Sequence, residues 1–436
     1  MAIFLPYYVA GLALLALELS GFSPAWNFRV PRLRPGLLAA FLVAAYAAQL
    51  AVVRYGATSI GGAAAWRTQL PIPVAEHGMA HPDLLEAALL GLALAQSCLL
   101  FALFRAKPSR GIVAAGSVAM VVLSLAAPAF ISPDPYAYVG DALLGWGAYA
   151  PPHREFTGEY ALINRFFAAP MLPAPYGPLW LTLARLVTES APTLLAKLVA
   201  LRVFGAACFV ALLMCLRAYG VPPRLLAIAA VNPAIAQQYI ADAHNDLLGI
   251  AIVVAAAALV RRRRALVGSG VAAAAGLVKL PFTVLALPIF ARTQSRPLRY
   301  ACALGAIALA AAVSWLAGGA AYFGGLNVHV PAPGPVYALN AVVSIAALFM
   351  LGTAAIGARR RYSGVWLIAM MSSYIATWYA AYGLPYALAR HRLLAYLLIA
   401  LPFACALVDA KFMRPWTPVV LAMVVAAGVL QPRQPR

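Results

Sequence analysis

Twelve acidic residues occur in the 436-residue chain, and seven of them (Asp134, Asp141, Glu155, Glu159, Glu189, Asp242 and Asp246) fall between positions 134 and 246. Their surroundings are strongly apolar, and a carboxylate in or beside lipid is costly enough to point to function by default. Asp134 directly follows the apolar stretch ending in Phe130-Ile131, within Ser132-Pro133-Asp134-Pro135-Tyr136. Two prolines hold that boundary extended. Two readings are open for this acid: one that does chemistry, or one that is merely solvated at the interface at a helix end. Asp141 lies seven positions on. If the segment is helical that is two turns, roughly 10 Å, too far for both carboxylates to grip one metal ion.

Asp242-Ala243-His244-Asn245-Asp246 sits between two further apolar stretches. If helical, it places Asp242 and Asp246 on one face and points His244 and Asn245 elsewhere. A pocket wall and a polar turn capping two helices both fit the pattern. A zinc site needs a third ligand, and no residue nominates itself. Lys279, in Leu277-Val278-Lys279-Leu280-Pro281, is the third feature. A lysine between apolar limbs suits an anion or a water-filled cavity, and a phosphate matches its compact charge and three donors. Snorkelling to the interface is the plain alternative.

The elements that must hold these residues are read from composition. Hydrophobic residues make up 64% of the chain and charged residues 10%, with a mean hydropathy of +0.86. Soluble domains carry roughly a quarter charged residues, so this chain is all-α and polytopic in a membrane. Its net charge of +20 sits in short clusters between apolar runs, which are topology signals rather than a nucleic-acid surface. Cys98, Cys208, Cys215, Cys302 and Cys405 are scattered without a C-x-x-C spacing, so neither a metal site nor a disulfide framework is indicated.

Arg and Lys are retained on the cytoplasmic side. The clusters at Arg29/Arg32/Arg34, Arg105/Lys107/Arg110, Arg217/Arg224, Arg261 to Arg264, Arg292/Arg296/Arg299 and Arg359/Arg360/Arg361 hold 18 of the 32 basic residues. Spans near 3–20, 36–53, 83–104, 111–131, 191–216, 225–240 and 247–260 put the first four clusters inside and 54–82 and 132–190 outside. The apolar start, Ile3 to Leu17, reads as a span rather than a removable signal. Residues 265–291 lie between basic flanks but are too short for two crossings of about 20 residues each. A helix broken at Pro281 explains this; one long span with the Arg292 group outside is the simpler option. Beyond Arg361 a second break is expected at Gly383-Leu384-Pro385. The whole reads as a single membrane domain, 1–436, of about 13 helices: N-terminal spans over 1–131, an outer active-site loop with short helices over 132–190, and the remaining spans over 191–436.

The order of short motifs resembles a known family. Asp134, then Tyr136-Ala137-Tyr138-Val139-Gly140-Asp141 and Gly147-Ala148-Tyr149-Ala150-Pro151, is similar to the first outer loop of GT-C glycosyltransferases, above all the bacterial mannosyltransferases that use polyprenyl-phosphate mannose. Pro175-Tyr176-Gly177-Pro178-Leu179-Trp180, Asn232-Pro233, Ala243-His244-Asn245-Asp246, Leu277-Val278-Lys279-Leu280-Pro281, Trp378-Tyr379 and Leu384-Pro385 follow in that family's order. The first 110 residues do not align, and Pro135 replaces the expected aliphatic or aromatic residue.

The resemblance implies transfer of a sugar, with mannose as the expectation, from a polyprenyl phosphate to an acceptor hydroxyl on a lipid or glycan, with inversion. It makes Asp134 the general base, Lys279 the contact to the donor phosphate, and Arg165, Arg185 and Arg202 its assistants. Tyr136, Tyr138, Asp141, Tyr176, His244, Asn245, Asp246, Trp378 and Tyr379 are the expected contacts to sugar and acceptor. No cofactor is expected, and a monophosphate carrier makes metal dispensable. The Ala- and Arg-rich composition points to a bacterial inner membrane, with the site facing the periplasm or exterior. A secondary transporter or lipid flippase shares the broken helix and buried charge, and a non-catalytic envelope-polysaccharide assembly protein is the other competing class.

Overall fold

In the computed structural model the described residues are 33–67, 82–127, 132, 134–151, 155–166, 173–280, 282–283, 289–290, 295–328, 398–403 and 406. Every regular element among them is helical, as the composition requires. The expected span at 3–20, Trp378, Tyr379 and the break at Gly383-Leu384-Pro385 lie outside the described residues.

Helices α1 (Pro35–Arg67), α2 (Pro82–Ala106) and α3 (Arg110–Ala126) come first. Ser109 caps α3, accepting a hydrogen bond from the Ile112 amide. Next come three short helices, α4 (Asp134–Leu144), α5 (Ala161–Phe166) and α6 (Pro178–Glu189), with 3-10 turns at Gly145–Tyr149 and Gly158–Tyr160. The long α7 (Leu194–Tyr219) follows, capped by Thr193 and closed by Gly220 in the left-handed region. Then come α8 (Pro223–Ala230), the single-turn α9 (Pro233–Ala236), a π turn over Gln237–Ala241, α10 (Asp246–Arg261), α11 (Ala265–Gly276) and α12 (Arg296–Val328). Helix α10 packs against α7 and α11, α11 against α12, and α4 against α6 and α7.

Among the described residues, four helical stretches are long and apolar enough to cross a bilayer: Pro35–Arg54, Ala87–Ala106, Leu194–Tyr219 and Pro297–Leu326. Large apolar side chains on them, such as Phe41, Met214, Leu304 and Leu316, are exposed. A water-soluble monomer does not display apolar surface so freely. The chain is a membrane protein.

Two expected spans are interrupted. The one near 225–240 breaks at Asn232-Pro233, because proline has no amide to continue the ladder and the Asn232 side chain accepts from the Ala234 amide instead. The segment then bends 112° between Pro233–Ala241 and Asp246–Arg261. The second interruption lies in the stretch where the sequence predicts a break at Pro281, but it comes earlier. Helix α11 ends at Gly276 and Leu277 to Leu280 are not helical, while Pro281 itself lies outside the described residues. With 12 residues, α11 is about 18 Å long by helix rise, short of a full crossing.

What satisfies the broken helix is the start of α6. The Gly177 amide donates to Val278 O and the Leu179 amide to Leu277 O, both at 2.9 Å, and the Trp180 amide reaches Leu277 O at 3.4 Å. Open carbonyls of one helix thus meet free amides of another. The approach is so close that a Cβ at Gly177 would collide with the Leu277 carbonyl. Gly177→Ala is expected to lower stability by about 1–3 kcal/mol, the usual result of forcing atoms into a packed contact. Gly147→Ala, with open space where its Cβ would stand, should change nothing. Apparent melting temperatures of the two variants in detergent check this.

Candidate active site

Asp134 opens α4, and its amide donates to Ser132 Oγ at 3.2 Å. A carboxylate in a helix's first turn is favoured by the dipole. One turn on, Tyr138 donates its hydroxyl to Asp134 Oδ2 at 3.4 Å, and its ring is fixed edge-on between Tyr176 (5.2 Å) and Trp180 (4.9 Å). The Asn245 amide reaches the same hydroxyl at 3.5 Å.

His244 lies 3.1 Å, by Nδ1, from Asp134 Oδ2. The helical reading of Asp242 to Asp246 does not hold, and His244 meets an acid from a separate helix. Residues 242–245 form a bend, with Ala243 at φ 50, a region a residue with a Cβ seldom enters. Such strain persists only where the surroundings impose it. The π turn before it is closed by the Asp242 amide donating to Gln237 O at 2.9 Å, and the His244 amide donates to Gln238 O at 3.2 Å.

The cation is built in the same manner. Lys279 donates to Asp246 Oδ1 at 3.1 Å and stands 5.9 Å from the Tyr176 ring centroid, within cation–π range. The side chains of Asp134 and Lys279 are 24% and 16% exposed, whereas their partners His244 and Asp246 are at 0% and 1%. Each reachable charge therefore has a buried counterpart behind it.

The electrostatics split the two carboxylates of α4. Burial pushes Asp134 up, but the charge and hydrogen bond of His244, the Ser132 contact and the charge of Lys279 outweigh it and hold the acid below its ordinary range. Asp141 is 2% exposed; burial, then the nearby Asp134 charge, push it well above that range. Neighbouring acids with separated affinities divide into a base and a proton holder. Burial and the neighbouring Tyr176, Asp134 and Asp246 likewise push Tyr138 up, so it stays a hydroxyl donor.

The structure brings Asp134, Tyr138, Tyr176, His244, Asn245, Asp246 and Lys279 together. Asn245 is 2% exposed, and its side-chain amide has no hydrogen-bond partner among the described residues. Tyr136 is fully buried and feels the charge of Arg202 from the core side. Arg185 is exposed on α6, beside Gly145. Arg165 falls in α5, and its side chain lies outside the described residues. Arg202 departs from the expected phosphate contact: it is 2% exposed and donates to two backbone carbonyls. Gln237, whose side chain accepts from Tyr46 and donates toward Asp242, was not foreseen, although two adjacent glutamines in an apolar run were a visible signal.

A family profile described as the N-terminal domain of alpha-(1->6)-mannopyranosyltransferases matches residues 33–296, more than half of the 436 residues. The chain belongs to this family. Mannosyl transfer is the family's activity, and the cluster from Asp134 to Lys279 lies wholly inside the matched residues. Comparison with curated proteins and with solved structures finds no match.

Because the folded pKa of Asp134 is lowered, the ionised acid persists as pH falls through the ordinary carboxylate range. Its contribution to stability is present above the ordinary value and lost as pH drops through the lowered one. Removing His244 removes the largest opposing pull. The acid limb of the mannosyltransferase pH–rate profile is expected to move up in His244→Gln, toward an ordinary value of about 4. A limb that stays where it is in the wild type would separate His244 from the titration of Asp134.

Proposed function

We propose that this mannosyltransferase moves mannose from a polyprenyl-phosphate carrier to an acceptor hydroxyl on a lipid or glycan, inverting the anomeric carbon, at the outer face of a bacterial inner membrane. The observation that carries this reading is the pair of partly exposed charges, an acid held ionised and a lysine, each backed by a buried partner and linked through Tyr138 and Tyr176.

The acceptor oxygen attacks the anomeric carbon as Asp134 takes its proton. The bond from that carbon to the phosphate oxygen breaks on the opposite side, and the electron pair leaves on the polyprenyl phosphate. Lys279 faces the charge that develops there, where a fixed cation in an apolar site is worth most. One displacement gives inversion. Asn245 offers its unmatched amide to sugar hydroxyls, and Tyr176 supplies a ring face beside the cation. A monophosphate leaving group opposite a lysine leaves no step for a divalent metal. The outer-face placement rests on the basic clusters, which put Asp134 and the 242–246 bend on the side opposite Arg217 and Arg261.

In a transfer assay with synthetic polyprenyl-phosphate mannose, Asp134→Asn should lose at least about a hundredfold in rate, the scale of general base catalysis. Lys279→Met should lose on the order of a hundredfold through the leaving-group charge. Saturating EDTA should leave the wild-type rate unchanged. Undiminished transfer by Asp134→Asn would sink the mechanism.

A further inference from the structure

Arg202 lies just over two turns into α7 and is 2% exposed. Its guanidinium donates from Nε to Ala241 O and from Nη1 to Ala127 O, each at 2.8 Å. These acceptors are not arbitrary. Ala127 is the residue that closes α3, and Asp134 follows seven positions later. Ala241 is the last residue of the π turn, and His244 follows three positions later. One planar group thus ties the end of α3, seven positions before Asp134, to the end of the π turn, three positions before His244.

The geometry needs arginine. A guanidinium presents its donors in a rigid fork, whereas a lysine ammonium is a single point, and a buried charge is tolerated only when its donors are matched. The surroundings leave Arg202 little freedom. Gly205, on the same helix, runs so close to the π turn that a Cβ there would stand 2.6 Å from Tyr239 O. From the other side Tyr46 bonds Ser124 Oγ at 2.9 Å and Gln237 Oε1 at 3.1 Å, joining the end of α3 to the same turn.

We propose that Arg202 is a positioning residue, which sets the spacing of Asp134 and His244 by holding the end of α3 against the end of the π turn and does not touch the substrate. The inference rests on Asp134 being the base. The groups that face Asp134 are His244 from the bend, Tyr138 and Asp141 from its own helix, and Lys279 from the broken helix. The charged and titratable neighbours of Arg202 are instead Asp242, Tyr136 and Tyr46. Arg202 acts on the base through His244.

The test compares full-length wild type, Arg202→Lys and Asp134→Asn in detergent, measuring melting temperature, kcat, donor KM and the pH profile. Arg202→Lys keeps the charge but not the fork. It is expected to fold, to keep its donor KM within about twofold, and to lose about tenfold to a hundredfold in kcat, the scale of a small misplacement of reacting groups. Its acid limb should move to higher pH, because His244 no longer holds Asp134 down. A raised donor KM with an unmoved limb would make Arg202 a phosphate contact and overturn the proposal. So would a loss explained by lowered folded protein with the limb unmoved. Where Arg202→Lys does not fold, Gly205→Ala, which presses on the same turn, should show the same upward limb, and an unmoved limb there overturns the proposal too. An active Asp134→Asn overturns the base and this inference together; an inactive one beside an unmoved limb in Arg202→Lys overturns the inference alone.

Discussion

The free amides at the start of α6 donate to the carbonyls left open at Leu277 and Val278, and most of the site follows from that junction. A backbone interrupted inside a membrane protein must find its hydrogen bonds within the protein, since each unmatched group costs several kcal/mol where water is absent. Here the partner comes from a helix that begins with Gly177-Pro178. Glycine admits the close approach, and proline starts α6 with no amide to waste. Because Tyr176 precedes the junction on one side and Lys279 follows it on the other, closing these bonds brings ring and cation together. Tyr138 then packs edge-on against Tyr176, which sets the height of α4 and so of Asp134.

The second constraint lies in the bend over 242–245. Ala243 takes a left-handed conformation between the Asp242 and His244 amides, which donate back to Gln237 O and Gln238 O of the π turn, whose last carbonyl accepts from Arg202. The strain is used: it turns His244 back toward Asp134 while Asp246 starts α10 facing Lys279. Five consecutive residues thereby serve both charges of the site.

Much of this was legible before any coordinates. Asp134 and Lys279 stood out because isolated charges beside apolar runs are expensive. An interruption between Arg264 and Arg292 followed from the shortness of 265–291 between basic flanks, although the helix ends at Gly276 and not at the expected Pro281. The direction of His244 was not legible, because helical spacing was the natural reading of Asp242 to Asp246 and nothing in Ala243 announces a left-handed residue. Arg202 was visible as an intramembrane charge, yet its partners are backbone carbonyls, which have no sequence signature; a phosphate and a carbonyl make the same demand on an arginine. Likewise Tyr46 and Gln237 meet across 191 positions, a pairing that neither local pattern implies. Sequence exposes the costly residue, and only the fold reveals what offsets its cost.

The doubling of each charge has a consequence for turnover. An unpartnered lysine in apolar surroundings would hold any phosphate tightly, the product as firmly as the donor, and equal binding of ground and transition states adds nothing to the rate. Lys279 already has Asp246 at 3.1 Å, so on the proposed reading part of its attraction would be met before a phosphate carrier arrived and met again once it left. The additional negative charge that would build up on phosphate oxygens as the proposed bond breaks is what Asp246 cannot mimic, so it would draw on Lys279 more strongly than the ground state does. On the other side, His244 and Tyr138 both meet Asp134 at Oδ2, and the His244 contact helps to hold the acid below its ordinary range. On the proposed mechanism, both pairs would hold their charges in place beforehand and leave their differential effect for the charges that develop only during transfer.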